Sequence, residues 1–510
     1  MKASNRIIVN TLAQYTRTII NLVLSLYSAR LVLNILGVDD YGIFALIGGV
    51  VSMLSFFTNS LVGSTQRFLS VYQGKGILDD LRRVFASSVL LHILLGFIVL
   101  IILEAITPFL FDGFLNIPPN KISAATIVYQ QVVVMVYITF ISAPYKALLV
   151  SRENIVYTSI IDVANGVLKV ILVLILPFVP ASKLVAYGWI ILSISVFEFF
   201  AYSLYSHRHY PECVIPKFAH FSRSYIKELM SFTGWITYST LCIAIRNQGL
   251  AIILNRIKGT AINAAYGIGM QISGMVSFVS TSLSNAIAPQ LMASEGNSDR
   301  HKMLFLAEMN SKFSFLLLAM VGIPTMFEMQ TLLQIWLGNV PTYTMLFGCM
   351  FLSMMIIDML TTGLATANNA VGHIGWYTFI NYSPKLLVIP ICLIAIEYDN
   401  HIEVICTTMV ALEAICMLMR LPQSKRIDGF SISTYSRNVF AKVYIPTILS
   451  IIICYGLHYS IESEWRIIAS YLLSVPIFCI AAYKFSLGDI EKQKVDNILN
   501  KIKSKLANTH

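Results

Sequence analysis

Residues 9–36 read VNTLAQYTRTIINLVLSLYSARLVLNIL, an apolar stretch long enough to cross a bilayer as a single helix. Asn10, Gln14, Arg17 and Asn21 lie inside it at spacings of four, three and four residues, which places them on one helix face. A guanidinium is costly in hydrocarbon, so this face is expected to line a hydrated or protein-lined interior. The pattern predicts the wall of a cavity inside a bundle of membrane helices.

The composition of the whole chain agrees with a membrane bundle. Of the 510 residues, 56% are hydrophobic and only 12% are charged, and the mean hydropathy is +0.72. Soluble domains carry about a quarter charged residues. The apolar runs are continuous and do not alternate, which excludes a transmembrane β-barrel. We therefore predict an all-α polytopic membrane protein.

Hydropathy and the gaps between apolar runs predict about fourteen transmembrane helices. They are expected near 9–36, 43–63, 84–104, 124–148, 155–178, 184–205, 229–254, 262–288, 312–336, 343–367, 376–397, 402–420, 441–459 and 466–484. Most of the 36 Lys and Arg residues fall in alternate gaps, which predicts that both termini are cytoplasmic. The net charge of +10 follows from these topology signals, so no nucleic-acid partner is expected.

The two halves of the chain resemble each other. At a constant offset, Tyr41-Gly42 corresponds to Tyr266-Gly267, and Gly49, Ser52 and Ser55 correspond to Gly274, Ser277 and Ser280. Halves with an even number of spans run parallel and can enclose a central cavity between two lobes. The predicted organisation is an N-terminal six-helix lobe (1–205), a cytoplasmic linker (206–228), a C-terminal six-helix lobe (229–420), two additional transmembrane helices (421–486) and a basic amphipathic cytoplasmic tail (487–510).

Further polar residues interrupt the predicted spans. Arg246-Asn247-Gln248 interrupts span seven, and the Pro-containing run 381–385 breaks span eleven beside Lys385. In span five, Asp162, Asn165 and Lys169 share a face, but Asp162 and Lys169 lie about 10 Å apart, so Asn165 or another span must bridge them.

These cations favour an anionic substrate, because the guanidinium fork suits phosphate. The predicted substrate-binding residues are Arg17, Arg246, Gln14, Asn10, Asn21, Asn247, Gln248, Lys169 and Lys385. Asp162, Asp358 and Glu413 are candidates for coupling to H⁺ or Na⁺, and a structural pairing role is the alternative for each. The eight cysteines are scattered, none forms CxxC, and no His lies at ligand spacing, so neither a metal nor a cofactor is expected.

Two segments carry a resemblance to a known family. Residues 29–44, with Ala29-Arg30-Leu31 and the run Asp39-Asp40-Tyr41-Gly42-Ile43-Phe44, resemble the junction of spans one and two in bacterial polysaccharide-export flippases. Ala147-Leu148-Leu149 followed by Arg152-Glu153-Asn154 resembles the turn between their spans four and five. This family belongs to the multidrug/oligosaccharidyl-lipid/polysaccharide (MOP) superfamily.

The resemblance implies a V-shaped two-lobed transporter in the bacterial cytoplasmic (inner) membrane. It would move an undecaprenyl-diphosphate-linked oligosaccharide, as used for O-antigen, capsule or exopolysaccharide, from the cytoplasmic to the periplasmic leaflet by alternating access. Its partners would be this glycan, membrane lipids and a polysaccharide polymerase.

Two alternatives stay open at this stage. A cation-coupled multidrug antiporter of the same superfamily would favour an acidic, aromatic cavity. A membrane glycan polymerase or ligase would need a large outer loop with catalytic polar residues. The sequence has neither such a loop nor a G-x-S-x-G, paired-carboxylate or P-loop motif, so we do not expect an enzyme.

Overall fold

The computed structural model describes residues 3–52, 55–111, 117–180, 182–214, 222–258, 260–398, 402–461, 465–488, 491–493 and 496. These residues are helical almost throughout, and no strand occurs among them. The predicted all-α class is confirmed. The predicted tail helix, with Val495, Ile498, Leu499, Ile502 and Leu506, lies outside the described residues except for short pieces.

Helices α1 to α9 follow one another in the first part of the chain. They are α1 (Ala3–Ser52), α2 (Ser55–Lys75), α3 (Leu78–Phe109), α4 (Ile122–Ser151), α5 (Ile155–Ile175), α6 (Lys183–His209), α7 (Arg223–Lys258), α8 (Thr260–Gly296) and α9 (Arg300–Phe327). Helix α1 is kinked at Gly37, whose φ of +78° would strain any residue other than glycine.

The remaining helices are shorter on average. They are α10 (Met329–Leu337), α11 (Thr344–Met359), α12 (Thr362–Val371), α13 (Gly375–Tyr382), α14 (Val388–Tyr398), α15 (Ile402–Ser424), α16 (Ile432–Tyr435), α17 (Ala441–Ser460) and α18 (Arg466–Ala481). Residues Ser383–Leu387 form a 3₁₀ turn between α13 and α14, so the predicted break of span eleven is confirmed.

Ten of the described helices are long and apolar enough to cross a membrane, or eleven if the bent pair α11–α12 is one span. Helices α2, α7 and α8 lie where spans are predicted but are too polar to be counted among these. The total of fourteen therefore stays a prediction. Helix α7 continues through the polar run Arg246-Asn247-Gln248, and the predicted cavity-lining role of these residues stays a prediction.

The chain divides into two compact units. The first unit contains residues 1–241 together with 285–299 and 369–375, and the second contains 242–284, 300–368 and 376–510. In the first unit, α4 packs against α2, α3 and α6, and α1 packs along α5. In the second unit, α11 packs on α15, while α9 contacts α11, α17 and α18.

Glycines allow one very close helix crossing inside the first unit. A Cβ atom added to Gly74 of α2 would lie 2.1 Å from the carbonyl oxygen of Ala293, and one added to Gly296 would lie 1.8 Å from the carbonyl oxygen of Val71. Since backbone atoms cannot move aside as a flexible side chain can, this crossing requires glycine at both positions.

Candidate functional site: two charge clusters

The polar stripe of α1 faces α5. Asn10 donates from Nδ2 to the carbonyl oxygen of Glu153 at 2.9 Å, and Asn10 and Gln14 are only 3% and 4% exposed. Further along, Asn21 Oδ1 is buried, lies close to Gly166 of α5, and accepts no hydrogen bond from the described residues. The stripe therefore contacts a neighbouring helix over much of its length, and the substrate-binding role of these three residues stays a prediction.

Arg17 forms an ion pair across the same interface. Its Nη1 lies 2.7 Å from Oδ2 of Asp162 on α5, and the side chain keeps 27% of its exposure. The hydroxyl of Tyr202 donates to the other carboxylate oxygen of Asp162 at 3.1 Å. Arg17 is therefore a paired cation, and part of its positive charge is neutralised.

Lys146 of α4 extends this network to α6. Its Nζ lies 3.7 Å from Asp162 and 3.8 Å from Glu198. Asn165, one turn beyond Asp162 on α5, donates to Glu198 at 3.2 Å. The sequence leaves the partner of Asp162 open, and the structure supplies Arg17 and Lys146.

Lys169 lies on the same helix face two turns beyond Asp162. Lys169 is half-buried. It lies about 21 Å along α5 from Ile155, the first residue of the helix, and so near the middle of this apolar span. Among the described residues, no carboxylate lies within 4 Å of its ammonium group. Arg17, Lys146, Asp162 and Glu198 form the first cluster, and Lys169 lies about 10 Å from Asp162, outside ion-pair distance of these four residues.

Glu413 of α15 is the centre of a second cluster. Oε2 accepts from Nη1 of Arg246 at 2.8 Å, and Oε1 accepts from Nζ of Lys385. All three residues are less than a tenth exposed. The structure thus brings together Arg246 and Lys385, which lie far apart in the sequence.

A second carboxylate completes this cluster. Arg420 of α15, which is 2% exposed, lies 2.7 Å from Oδ1 of Asp358 on α11. Asn247 Oδ1 accepts from Nε of Arg246 at 3.0 Å, whereas Gln248 is exposed on another face of α7. Arg246, Lys385, Arg420, Glu413 and Asp358 form the second cluster.

Two cations of these clusters are missed by sequence reasoning. Lys146 lies near the end of span four, and Arg420 lies at the predicted end of span twelve, where basic residues are ordinarily topology signals. A helical projection would have placed Arg420 seven residues from Glu413, two turns along one face of α15. That spacing is the available signal, and it is a weak one.

The second cluster holds three basic and two acidic side chains, so it retains one positive charge that its own carboxylates do not neutralise. The first cluster holds two of each, and Lys169 adds a separate cation on the same face of α5. An uncompensated cation inside an apolar bundle is unfavourable unless water or an anion reaches it. Among the described residues, no group of three His, Cys, Asp or Glu side chains could hold a metal ion. The second cluster and Lys169 are therefore suited to attract an anion.

Comparison with known proteins gives the family. The family model described as "Polysaccharide biosynthesis protein" matches residues 4–294. One curated relative, "Uncharacterized membrane protein EpsK" of Bacillus subtilis (strain 168), is 21% identical over 354 residues, covering 68% of this chain and 67% of that protein.

Solved structures give the fold. A MATE protein in the bent conformation has a TM-score of 0.74 at 13% identity, covering 86% of this chain and 97% of its own. A MOP superfamily transporter from Pyrococcus furiosus has a TM-score of 0.69 at 13% identity, covering 84% and 96%. The predicted resemblance is confirmed. This chain belongs to the polysaccharide biosynthesis protein family, and its helices adopt a MATE-like fold.

Proposed function

We propose that this chain is a flippase that moves an undecaprenyl-diphosphate-linked oligosaccharide from the cytoplasmic to the periplasmic leaflet by alternating access. The observation that carries the proposal is positive charge that no carboxylate neutralises: Lys169 near the first cluster, and the excess of one basic side chain in the second cluster. A diphosphate is an anion that such a cation would attract, and the family is one of polysaccharide biosynthesis. The location is the bacterial inner membrane with both termini cytoplasmic, as the Lys and Arg distribution predicts.

Lys169 is the residue most directly suited to bind the diphosphate. It lies near the middle of its span and lacks a carboxylate partner among the described residues, so its charge is available to a ligand. Arg17 is the second candidate, because its side chain keeps 27% of its exposure beside Asp162. Arg246 and Lys385 are less than a tenth exposed, and reaching them would require the second cluster to open.

Binding a coupling ion at the three candidate carboxylates would require breaking existing ion pairs. A basic side chain lies at ion-pair distance from each of these carboxylates, Asp162, Asp358 and Glu413. An incoming H⁺ or Na⁺ would have to compete with an arginine or lysine at each of these carboxylates. A coupling ion is therefore more readily accepted during a step that separates these pairs.

Replacing Lys169 tests the proposal. In a deletion strain of the source organism, we expect Lys169→Met to reduce surface polysaccharide at least about tenfold, and Lys169→Arg to retain most of it. The thermal midpoint of the purified Lys169→Met protein should change little, because no ion pair is lost. Lys183→Met is the matched control, since Lys183 is exposed at the start of α6 and should be neutral.

Two outcomes would contradict the proposal. One is normal surface polysaccharide in Lys169→Met at wild-type protein level. The other is drug resistance upon overexpression together with unchanged polysaccharide in the deletion strain, which would favour a multidrug antiporter.

A further inference from the structure

A hydroxyl-lined cavity adjoins the first cluster inside the first unit. It has a volume of about 130 Å³ and lies between α2, α4 and α6. Its polar lining is formed by Thr58, Asn59, Thr139, Ser142, Lys146, Ser195 and Glu198. Water occupies about 30 Å³ per molecule, so the cavity has room for about four waters, which is the scale of one sugar ring.

The hydroxyl groups of this cavity present lone pairs to it. Thr139 donates its proton to the carbonyl oxygen of Met135 at 2.9 Å, and Ser142 donates to that of Ile138 at 2.8 Å. Ser195 does the same toward the carbonyl of Ile191 at 3.2 Å. A hydroxyl whose proton is used in this way can act only as an acceptor toward a ligand.

The charged end of the cavity adds both a hydrogen-bond acceptor and a hydrogen-bond donor. Glu198 provides further acceptor capacity, and Lys146, 3.8 Å from it, is a donor. A diphosphate offers only acceptor oxygens, so four acceptor groups would repel it. A sugar offers several O–H donors together with ring and hydroxyl oxygens that can accept from Lys146. The lining therefore matches a polyhydroxylated ligand better than a phosphate.

The cavity is also placed beside the proposed diphosphate site. Lys146 lines the cavity and lies 3.7 Å from Asp162, whose other carboxylate oxygen binds Arg17 at 2.7 Å. A ligand with a sugar directly attached to a diphosphate could therefore contact both regions at once.

We propose that this cavity binds one sugar residue of the lipid-linked substrate, the residue attached to the diphosphate, and that its hydroxyls select which sugar is accepted. The inference rests on the proposed flippase function and deepens it. The headgroup would enter with its diphosphate toward Arg17 and Lys169 and its first sugar ring between α2, α4 and α6. Selectivity would follow from which sugar hydroxyls can donate to Thr139, Ser142 and Ser195.

A triple variant, Thr139→Val, Ser142→Ala and Ser195→Ala, removes the three acceptors without changing any charge. The purified chain in nanodiscs is titrated with methyl glycosides of glucose, galactose and N-acetylglucosamine, and binding is followed by saturation-transfer NMR. We expect wild type to bind at least one of them, and the triple variant to bind it at least about tenfold more weakly. Thr126→Val is the matched control, because Thr126 makes the same kind of bond within α4 to Ile122.

Failure of wild type to bind any of the three glycosides, or equal binding by wild type and the triple variant, would overturn the assignment. A complementation experiment separates this failure from failure of the flippase function. If Lys169→Met abolishes surface polysaccharide while the triple variant exports it normally, the flippase proposal stands and the sugar site is wrong. If the deletion strain displays normal surface polysaccharide without any copy of the chain, the flippase proposal fails as well.

Discussion

The carboxylate of Glu413 should be the most stability-critical charge in the second unit. It is 3% exposed and accepts from both Arg246 and Lys385. Glu413→Gln keeps the shape of the side chain but leaves these two buried cations without their adjacent anion. Removing one partner of a buried ion pair costs about 3–5 kcal/mol, so we expect a loss of that size in the free energy of unfolding.

Lys385→Met should lower the free energy of unfolding less than Glu413→Gln does, although it removes the other partner of the same ion pair. Glu413 then keeps Arg246 at 2.8 Å, and the cluster moves from three cations and two carboxylates to equal numbers. The expected loss is about 1.5–3 kcal/mol, the size of one hydrogen bond to a charged group. The charge count of the cluster thus predicts a clear asymmetry between two partners in one ion pair.

The free energy of unfolding can be measured by titrating the protein in mixed micelles with a denaturing detergent and following tryptophan fluorescence. Asp79→Asn is the control for loss of an exposed carboxylate, since the Asp79 side chain is 81% exposed beside Arg82 and its pair should be worth less than about 1 kcal/mol. Equal losses for Lys385→Met and Glu413→Gln, or a Glu413→Gln loss no larger than that of Asp79→Asn, would refute the reasoning.

Two further predictions concern packing and a thiol. Gly363→Ala should destabilise the protein by about 2 kcal/mol or more in the same titration, because its Cβ would lie 1.9 Å from the carbonyl oxygen of Ala307. Gly63→Ala, with nothing within 4 Å, should be neutral or slightly stabilising, and the reverse order would contradict the crossing geometry. Burial, with the neighbouring Glu212, raises the pKa of the Cys213 thiol to about 12, so maleimide at pH 8 should label it only after denaturation. The folded thiol stays protonated, whereas the unfolded thiol ionises above about pH 9. The contribution of Cys213 to the free energy of unfolding should therefore fall as the pH rises from about 9 toward 12. Rapid labelling of the native protein would contradict the raised pKa of Cys213.

Local pattern predicted much of the secondary structure. The α4–α5 break at Ser151 to Asn154 is confirmed, with Asn154 capping α5 by accepting from the backbone N–H of Tyr157. The predicted break at Pro384, between α13 and α14, is also confirmed, because proline cannot continue the helical hydrogen bonding. The polar run at Arg246 leaves α7 continuous, because three polar residues do not by themselves remove a backbone donor.

Periodicity could group side chains on a face but could not say what that face meets. The stripe of α1 was grouped by spacing alone, and its partner Asp162 lies 145 positions away in the chain. Lys146 and Arg420 lie near the ends of predicted spans, where a basic residue is most simply explained as a topology signal. Their roles depend on tertiary contacts, which no single helical segment contains.

The leaflet in which the lipid-linked oligosaccharide accumulates is the most direct test of the flippase proposal. In spheroplasts of a deletion strain, membrane-impermeant periodate should oxidise little of the glycan, because it stays on the cytoplasmic side. The wild-type chain should restore oxidation, and Lys169→Met should not. Equal oxidation with and without the chain would contradict transport by this protein.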